Sequence, residues 1–131
     1  MPAEKDLIPI ISIADAGAGI LAIADVTDEW LSRPHGVRGV AYAVRVASHA
    51  DSMSPRYDPG MLVVASPNVE CVSGDFAVVG LSNDNKTIKQ VFFREDKVIL
   101  HSLNPDYDDV EIEKEELEFC DRIIWSREPK W

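Results

Sequence analysis

Apolar residues along the chain come in short runs cut by Gly, Pro, Asn and Asp, with almost no helical periodicity. Leu7 to Ile13 is apolar around Pro9, as suits an edge strand or an extended segment, because Pro lacks the N–H that a sheet ladder needs. From Val37 to Val46 the pattern alternates. Val40, Tyr42, Val44 and Val46 share one face, and Ala41, Ala43 and Arg45 the other. Met61 to Ala65 is a wholly apolar strand, and Phe76 to Leu81, Thr87 to Phe93, Lys97 to Leu100 and Phe119 to Trp125 read as four more. Turn chemistry separates them at Asp58-Pro59-Gly60, Ser73-Gly74-Asp75, Arg94-Glu95-Asp96 and Asn83-Asp84-Asn85-Lys86, where Asn and Asp tolerate positive φ. Asp28 to Ser32 reads as one helical turn, broken by Arg33-Pro34-His35-Gly36, and residues 106–118 as an acidic stretch. The pattern predicts a mainly β fold, a curled antiparallel sheet or open barrel with little helix.

Residues 14–25 fit no element. Ala at 14, 16, 18, 22 and 24 and Gly at 17 and 19 make a poor helix interior and offer few bulky anchors, so an extended, mobile segment is expected. With 131 residues and 46% apolar content the chain suits one structural domain with one core. Residues 1–36 read as a leading segment and connector, and 37–131 as the β domain. Thirteen basic against 23 acidic residues give 13 − 23 = −10. That charge disfavours nucleic-acid binding, because a phosphate backbone would be repelled. No apolar run approaches the roughly 20 residues of a membrane span, and the N-terminus does not read as a signal peptide. Cys71 and Cys120 are too few for a disulfide scaffold, so a reduced, cytoplasmic protein is expected.

Few residues invite chemistry. His35, His49 and His101 lie far apart without metal-ligand spacing, so neither a metal nor any other cofactor is expected. Cys71 and Cys120 lie in strand-like runs, where a thiol is usually structural. Gly17-Ala18-Gly19 lacks the strand, helix and Lys of a phosphate loop. Two features stand out. Ser52 sits in the irregular stretch Ser48-His49-Ala50-Asp51-Ser52-Met53-Ser54-Pro55, where a hydroxyl and neighbouring backbone N–H groups can both point outward, though such a serine is also a common turn former. Lys89 falls by alternation on the face of Thr87, Val91 and Phe93. Its head either snorkels to water or, if desolvated, loses its charge and becomes a base.

Together these pieces resemble the LexA and phage-repressor family of self-cleaving regulators. The resemblance rests on Val44-Arg45-Val46, Asp51-Ser52-Met53-Ser54-Pro55, Asp58-Pro59-Gly60 before Met61-Leu62-Val63-Val64, and Ser73-Gly74-Asp75. It continues through Thr87-Ile88-Lys89, Leu103-Asn104-Pro105 and Asp121-Arg122-Ile123-Ile124-Trp125, and it covers about residues 7–126. It implies a LexA-like C-terminal domain in which a Ser52–Lys89 dyad cleaves the chain's own backbone, with the N–H groups of Asp51 and Ser52 holding the oxyanion. The family cuts at Ala-Gly or Cys-Gly after an apolar segment containing Pro. Pro9 to Gly17 matches, so Ala16–Gly17 is the expected bond, with Ala18–Gly19 as competitor.

The resemblance further implies a homodimer, a RecA filament as co-activator of cleavage, and DNA contact only through an N-terminal helix-turn-helix domain that these residues lack. A prophage-type repressor is the first reading. A UmuD-like polymerase accessory protein and a catalytically inert dimerisation module are the alternatives. Two positions depart from the family pattern. Ala50 stands where relatives carry Gly, and a positive φ there would cost an alanine about 1 kcal/mol or more. Asp15 sits beside the scissile bond, where its burial costs free energy unless it meets a partner.

Overall fold

The computed structural model describes residues 7–13 and 29–128. Among these, nine strands form one mixed, open sheet: β1 (Leu7–Ile11), β2 (Trp30–Ser32), β3 (Tyr42–Arg45), β4 (Leu62–Ser66), β5 (Phe76–Leu81), β6 (Lys86–Phe93), β7 (Lys97–His101), β8 (Val110–Glu113) and β9 (Leu117–Arg127). Their spatial order is β2-β1-β3-β4-β9-β5-β6-β7-β8. A 3-10 turn, Lys114–Glu116, lies between β8 and β9. The mainly β expectation holds.

Three local expectations change. The helical turn expected at 28–32 is a strand over its described part: Trp30–Ser32 pairs antiparallel with Leu7–Pro9, and Leu31 is buried beside Ile8. One apolar side chain between two exposed ones is what a strand of three residues needs. The long strand expected from Val37 shortens to Tyr42–Arg45, because Gly36 and Gly39 turn the chain at φ +91 and +72. The Arg33 guanidinium secures that bend by donating to the carbonyls of Val37 and Gly39. Within the acidic stretch, Val110–Glu113 adds an edge strand on β7, with Ile112 as its buried anchor. Pro9 is tolerated because Leu7–Pro9 faces only β2, while Ile10–Ile11 pairs in parallel with β3.

Both faces of β3 and β4 are covered, so Tyr42–Val44 and Leu62–Ala65 are buried at successive rather than alternate positions. Tyr42, Val44, Val63 and Ala65 join the cluster that also holds Met53, Tyr57 and Ile88. Ala43, Leu62 and Val64 join Ile8 and Leu31 on the other side. The β5–β8 half has its own cluster, with Val79, Val91, Val98 and Leu100 at its centre. β9 joins the halves, since it pairs with β4 along Arg122–Arg127 and with β5 along Leu117–Arg122.

Two contacts across β9 have energetic weight. Tyr42 donates a 2.5 Å hydrogen bond to Asp121 Oδ2, and Asp121 is only 5% exposed. Burial pushes the Asp121 carboxyl pKa up, and the tyrosine's hydrogen bond pulls it partly back. Gly80 lies opposite Phe119, whose ring covers it so closely that a Cβ at Gly80 would stand 2.0 Å from Cε2.

Gly80→Ala should therefore force the Phe119 ring aside and cost about 1–3 kcal/mol in urea unfolding. Tyr42→Phe should cost a similar ~1–3 kcal/mol at neutral pH by leaving a buried carboxylate without its donor. A carboxyl whose folded pKa is raised loses stability as pH climbs through that value. Removing the donor raises the pKa further, so the Tyr42→Phe penalty should shrink on acidification. A penalty that is constant with pH would contradict this.

Candidate active site

The connection between β3 and β4 is closed at its base. Val46 N–H donates to Met61 O, and Gly60 N–H, at φ +91, donates back to Val46 O, both at 2.8 Å. Inside this loop Met53 and Tyr57 are 3% and 2% exposed and reach into the first core cluster. Tyr57 meets the Phe76 ring edge-on, with ring centroids 5.7 Å apart. The Arg56 guanidinium lies over the same Phe76 ring at 4.3 Å. Local turns, with Ser54 N–H donating to Asp51 O and Tyr57 N–H to Met53 O, complete the shape. Ser52 is thus held one residue before a buried anchor, which explains the use of Met immediately after it.

Lys89 arrives from the other half of the sheet, on β6 opposite Ala77 of β5. Its Nζ lies 2.9 Å from Ser52 Oγ and 3.1 Å from Thr87 Oγ1. Thr87 is two residues back on the same strand, so both side chains project from one face. None of the ion pairs among the described residues includes Lys89. Burial alone therefore pushes its pKa below the ordinary lysine range, with no carboxylate to restore it. The head group is partly withdrawn from water and turned to two hydroxyls.

A cavity of about 170 Å³ opens beside Ser52 and Thr87, with Ile13, Val44, Val46, Met53 and Ile88 in its wall. Arg45, His49 and Lys86 supply its polar part. The size and apolar lining suit small or aliphatic side chains, and the basic groups suit an acidic neighbour.

Ala50 also lines this cavity, and its backbone is relaxed. Among the described residues Asp84 is the non-glycine with positive φ, at 68°, so the strain expected at Ala50 is absent. The hydrogen bonds of the described residues leave the N–H groups of Asp51 and Ser52 unused, whereas those of Ala50 and Ser54 are engaged. Ala16, Gly17 and Asp15 lie outside the described residues.

One contributor is absent from the sequence-based candidates. Tyr107, in the loop between β7 and β8, donates to Asp51 Oδ1 at 2.5 Å. In the same loop Asn104 uses its side-chain amide on Asp51 O at 3.1 Å and its backbone N–H on Ser52 O at 3.0 Å. Asn104-Pro105-Asp106 does carry a turn signature, and Asn104 Oδ1 accepts from Asp106 N–H. Nothing in the acidic run around Tyr107 singles it out. His101, which pairs with Asp109 at 2.6 Å, closes that loop at its base rather than entering the site. Among the described residues no three potential metal ligands come together. Cys71 and Cys120 are free thiols remote from Ser52, with Cys71 Sγ 3.4 Å from Cys120 O.

No helix among the described residues is long and apolar enough to cross a membrane. No curated protein matches the sequence well enough to stand as a relative. The sequence profile of the Peptidase S24-like family matches residues 9–124, a span that holds the Ser52 loop, the Lys89 strand and most of the joining strand β9. That coverage takes in nearly all of the described sheet, and the chain belongs to the Peptidase S24-like family of serine peptidases.

Proposed function

We propose that the chain is the self-cleaving regulatory unit of a prophage-type repressor, which cuts its own Ala16–Gly17 bond with Ser52 as nucleophile and Lys89 as base. The observation that carries this reading is the 2.9 Å separation of Lys89 Nζ from Ser52 Oγ, with the amine bonded to hydroxyl groups alone. A neutral amine there can donate one N–H to Thr87 Oγ1 and turn its lone pair toward the serine hydroxyl.

Lys89 takes the proton as Ser52 Oγ attacks the carbonyl carbon of Ala16. The N–H groups of Asp51 and Ser52 receive the developing oxyanion. The ammonium then protonates the leaving nitrogen of Gly17, and water releases the acyl group from Ser52, with Lys89 again as base. Because nucleophile and substrate share a chain, docking replaces a bimolecular encounter.

The cavity supports the choice of bond. Ile13 is in its wall alongside Ser52, and Ala16 follows three residues later, within about 10 Å of extended chain. Arg45 and Lys86 line the same wall, Arg45 with its guanidinium on Glu29 at 3.1 Å. Ala18–Gly19 is two residues farther from this anchor and is the weaker choice. Dimer formation and acceleration by a RecA filament accompany this reading through the family resemblance.

Incubation at alkaline pH should release a short N-terminal peptide and a large fragment beginning at Gly17, identified by mass spectrometry. Ser52→Ala and Lys89→Ala should each slow this by at least about a thousandfold. The rate should rise about tenfold per pH unit below the Lys89 pKa and level off above it. Since burial lowers that pKa, levelling should come below the ~10.4 of a free lysine. A rate still climbing past that value would mean that the amine is hydrated. Intact protein at every pH would favour an inert dimerisation module, and the coding sequence upstream of Met1 separates a repressor from a UmuD-like accessory protein.

A further inference from the structure

The loop between β7 and β8 touches the proposed nucleophile from outside the dyad, and its contacts fall on one short stretch of backbone. The Asn104 side-chain amide donates to Asp51 O at 3.1 Å, and the Asn104 backbone N–H donates to Ser52 O at 3.0 Å. A single residue therefore holds the carbonyls on both sides of the Ser52 Cα. Tyr107 adds a 2.5 Å bond from its hydroxyl to the Asp51 carboxylate. The loop is itself stiffened by Asp106 N–H on Asn104 Oδ1, by Tyr107 N–H on Asn104 O and by the His101–Asp109 pair at its base.

Peptide geometry gives these bonds a consequence. In a trans peptide the C=O of one residue and the N–H of the next lie in one plane and point in opposite directions. The Asp51 carbonyl and the Ser52 N–H form such a pair. Fixing Asp51 O against Asn104 Nδ2 and Ser54 N–H aims the Ser52 N–H the other way. Rotating that plane would forfeit both hydrogen bonds. An oxyanion donor contributes only when it is aimed before the reaction begins, because reorientation during bond formation consumes the gain.

We propose that Asn104 is the positioning residue that aims the Ser52 N–H at the oxyanion, with Tyr107 as its support through the Asp51 side chain. The inference rests on Ser52 being the nucleophile and adds a role for a loop more than fifty residues away in sequence. Asn104 touches no reacting atom. Its effect passes through the Asp51–Ser52 peptide.

Asn104→Asp is the informative change. It retains the Oδ1 acceptor for Asp106 N–H, and so the turn, but replaces the donor to Asp51 O with a second acceptor. Two rates on the full chain read its effect: self-cleavage across pH, and phosphonylation of Ser52 by a fluorophosphonate probe, resolved into a maximal rate and a half-saturating concentration. Both the cleavage plateau and the maximal phosphonylation rate should fall about tenfold or more, given the ~10²–10³ that a whole oxyanion donor supplies. The half-saturating concentration and the pH at which cleavage levels off should stay in place, since Lys89 is untouched. Tyr107→Phe should show a smaller loss of the same kind.

Asn83→Ala removes a comparable cap in the β5–β6 turn, where Asn83 Oδ1 accepts from Asn85 N–H, and should leave both rates at the wild-type level. An Asn104→Asp protein that reacts within twofold of wild type would overturn the inference, as would an equal loss in Asn83→Ala. A wild type that neither cleaves nor labels at Ser52 would overturn the nucleophile reading and this inference together.

Discussion

The site depends on an amine partly withdrawn from water without a counter-charge. Lys89 is partly buried, its polar neighbours are the hydroxyls of Ser52 and Thr87, and no ion pair among the described residues holds it. A carboxylate at the same distance would keep the proton on nitrogen and leave the serine without a base. Two hydroxyls satisfy the amine in its neutral form and reward the charge much less. Partial burial is the other half of the arrangement, because it withholds some of the water that would solvate an ammonium.

Ser52 and Lys89 belong to different halves of the sheet. Ser52 comes from the connection that follows β3, and Lys89 from the middle of β6. Their meeting is fixed by shared burial rather than by a shared strand, since Tyr42 and Val44 from one half pack with Val78 and Ile88 from the other. The loop of Asn104 and Tyr107 ties the halves together a second time, directly at the Asp51–Ser52 peptide. Geometry at the hydroxyl is therefore held by core packing from below and by hydrogen bonds from the side.

Much of this was legible in the sequence where one physical preference acted alone. Phe76 to Leu81 needed only apolar residues between two turns, and the Asn83–Lys86 turn only a residue that accepts positive φ, which Asp84 supplies. Reading failed where preferences competed. Val40 continues the alternation of the strand after it, but Gly39 directs the backbone out of the sheet and leaves Val40 exposed. Trp30 to Ser32 is short enough to read as a turn until Ile8 provides something for Leu31 to pack on. At Ala50 the departure from Gly suggested strain, and the backbone angle removes it. Ser52 and Lys89 were each ambiguous alone, because only the folded sheet shows that residues 37 positions apart share a hydrogen bond. Tyr107 had no local signature, since its role depends on where Asp51 falls.

The placement of β9 has a consequence for timing. β4 and β5 share no ladder of their own; each is joined to the other through Leu117–Arg127. During translation the hydroxyl and the amine emerge well before this connecting strand. A nascent chain still on the ribosome thus carries both groups with the seam of the sheet unfilled. Until β9 slots in, no backbone ladder joins the Ser52 side of the sheet to the Lys89 side, so the pair is aligned only once that strand has docked.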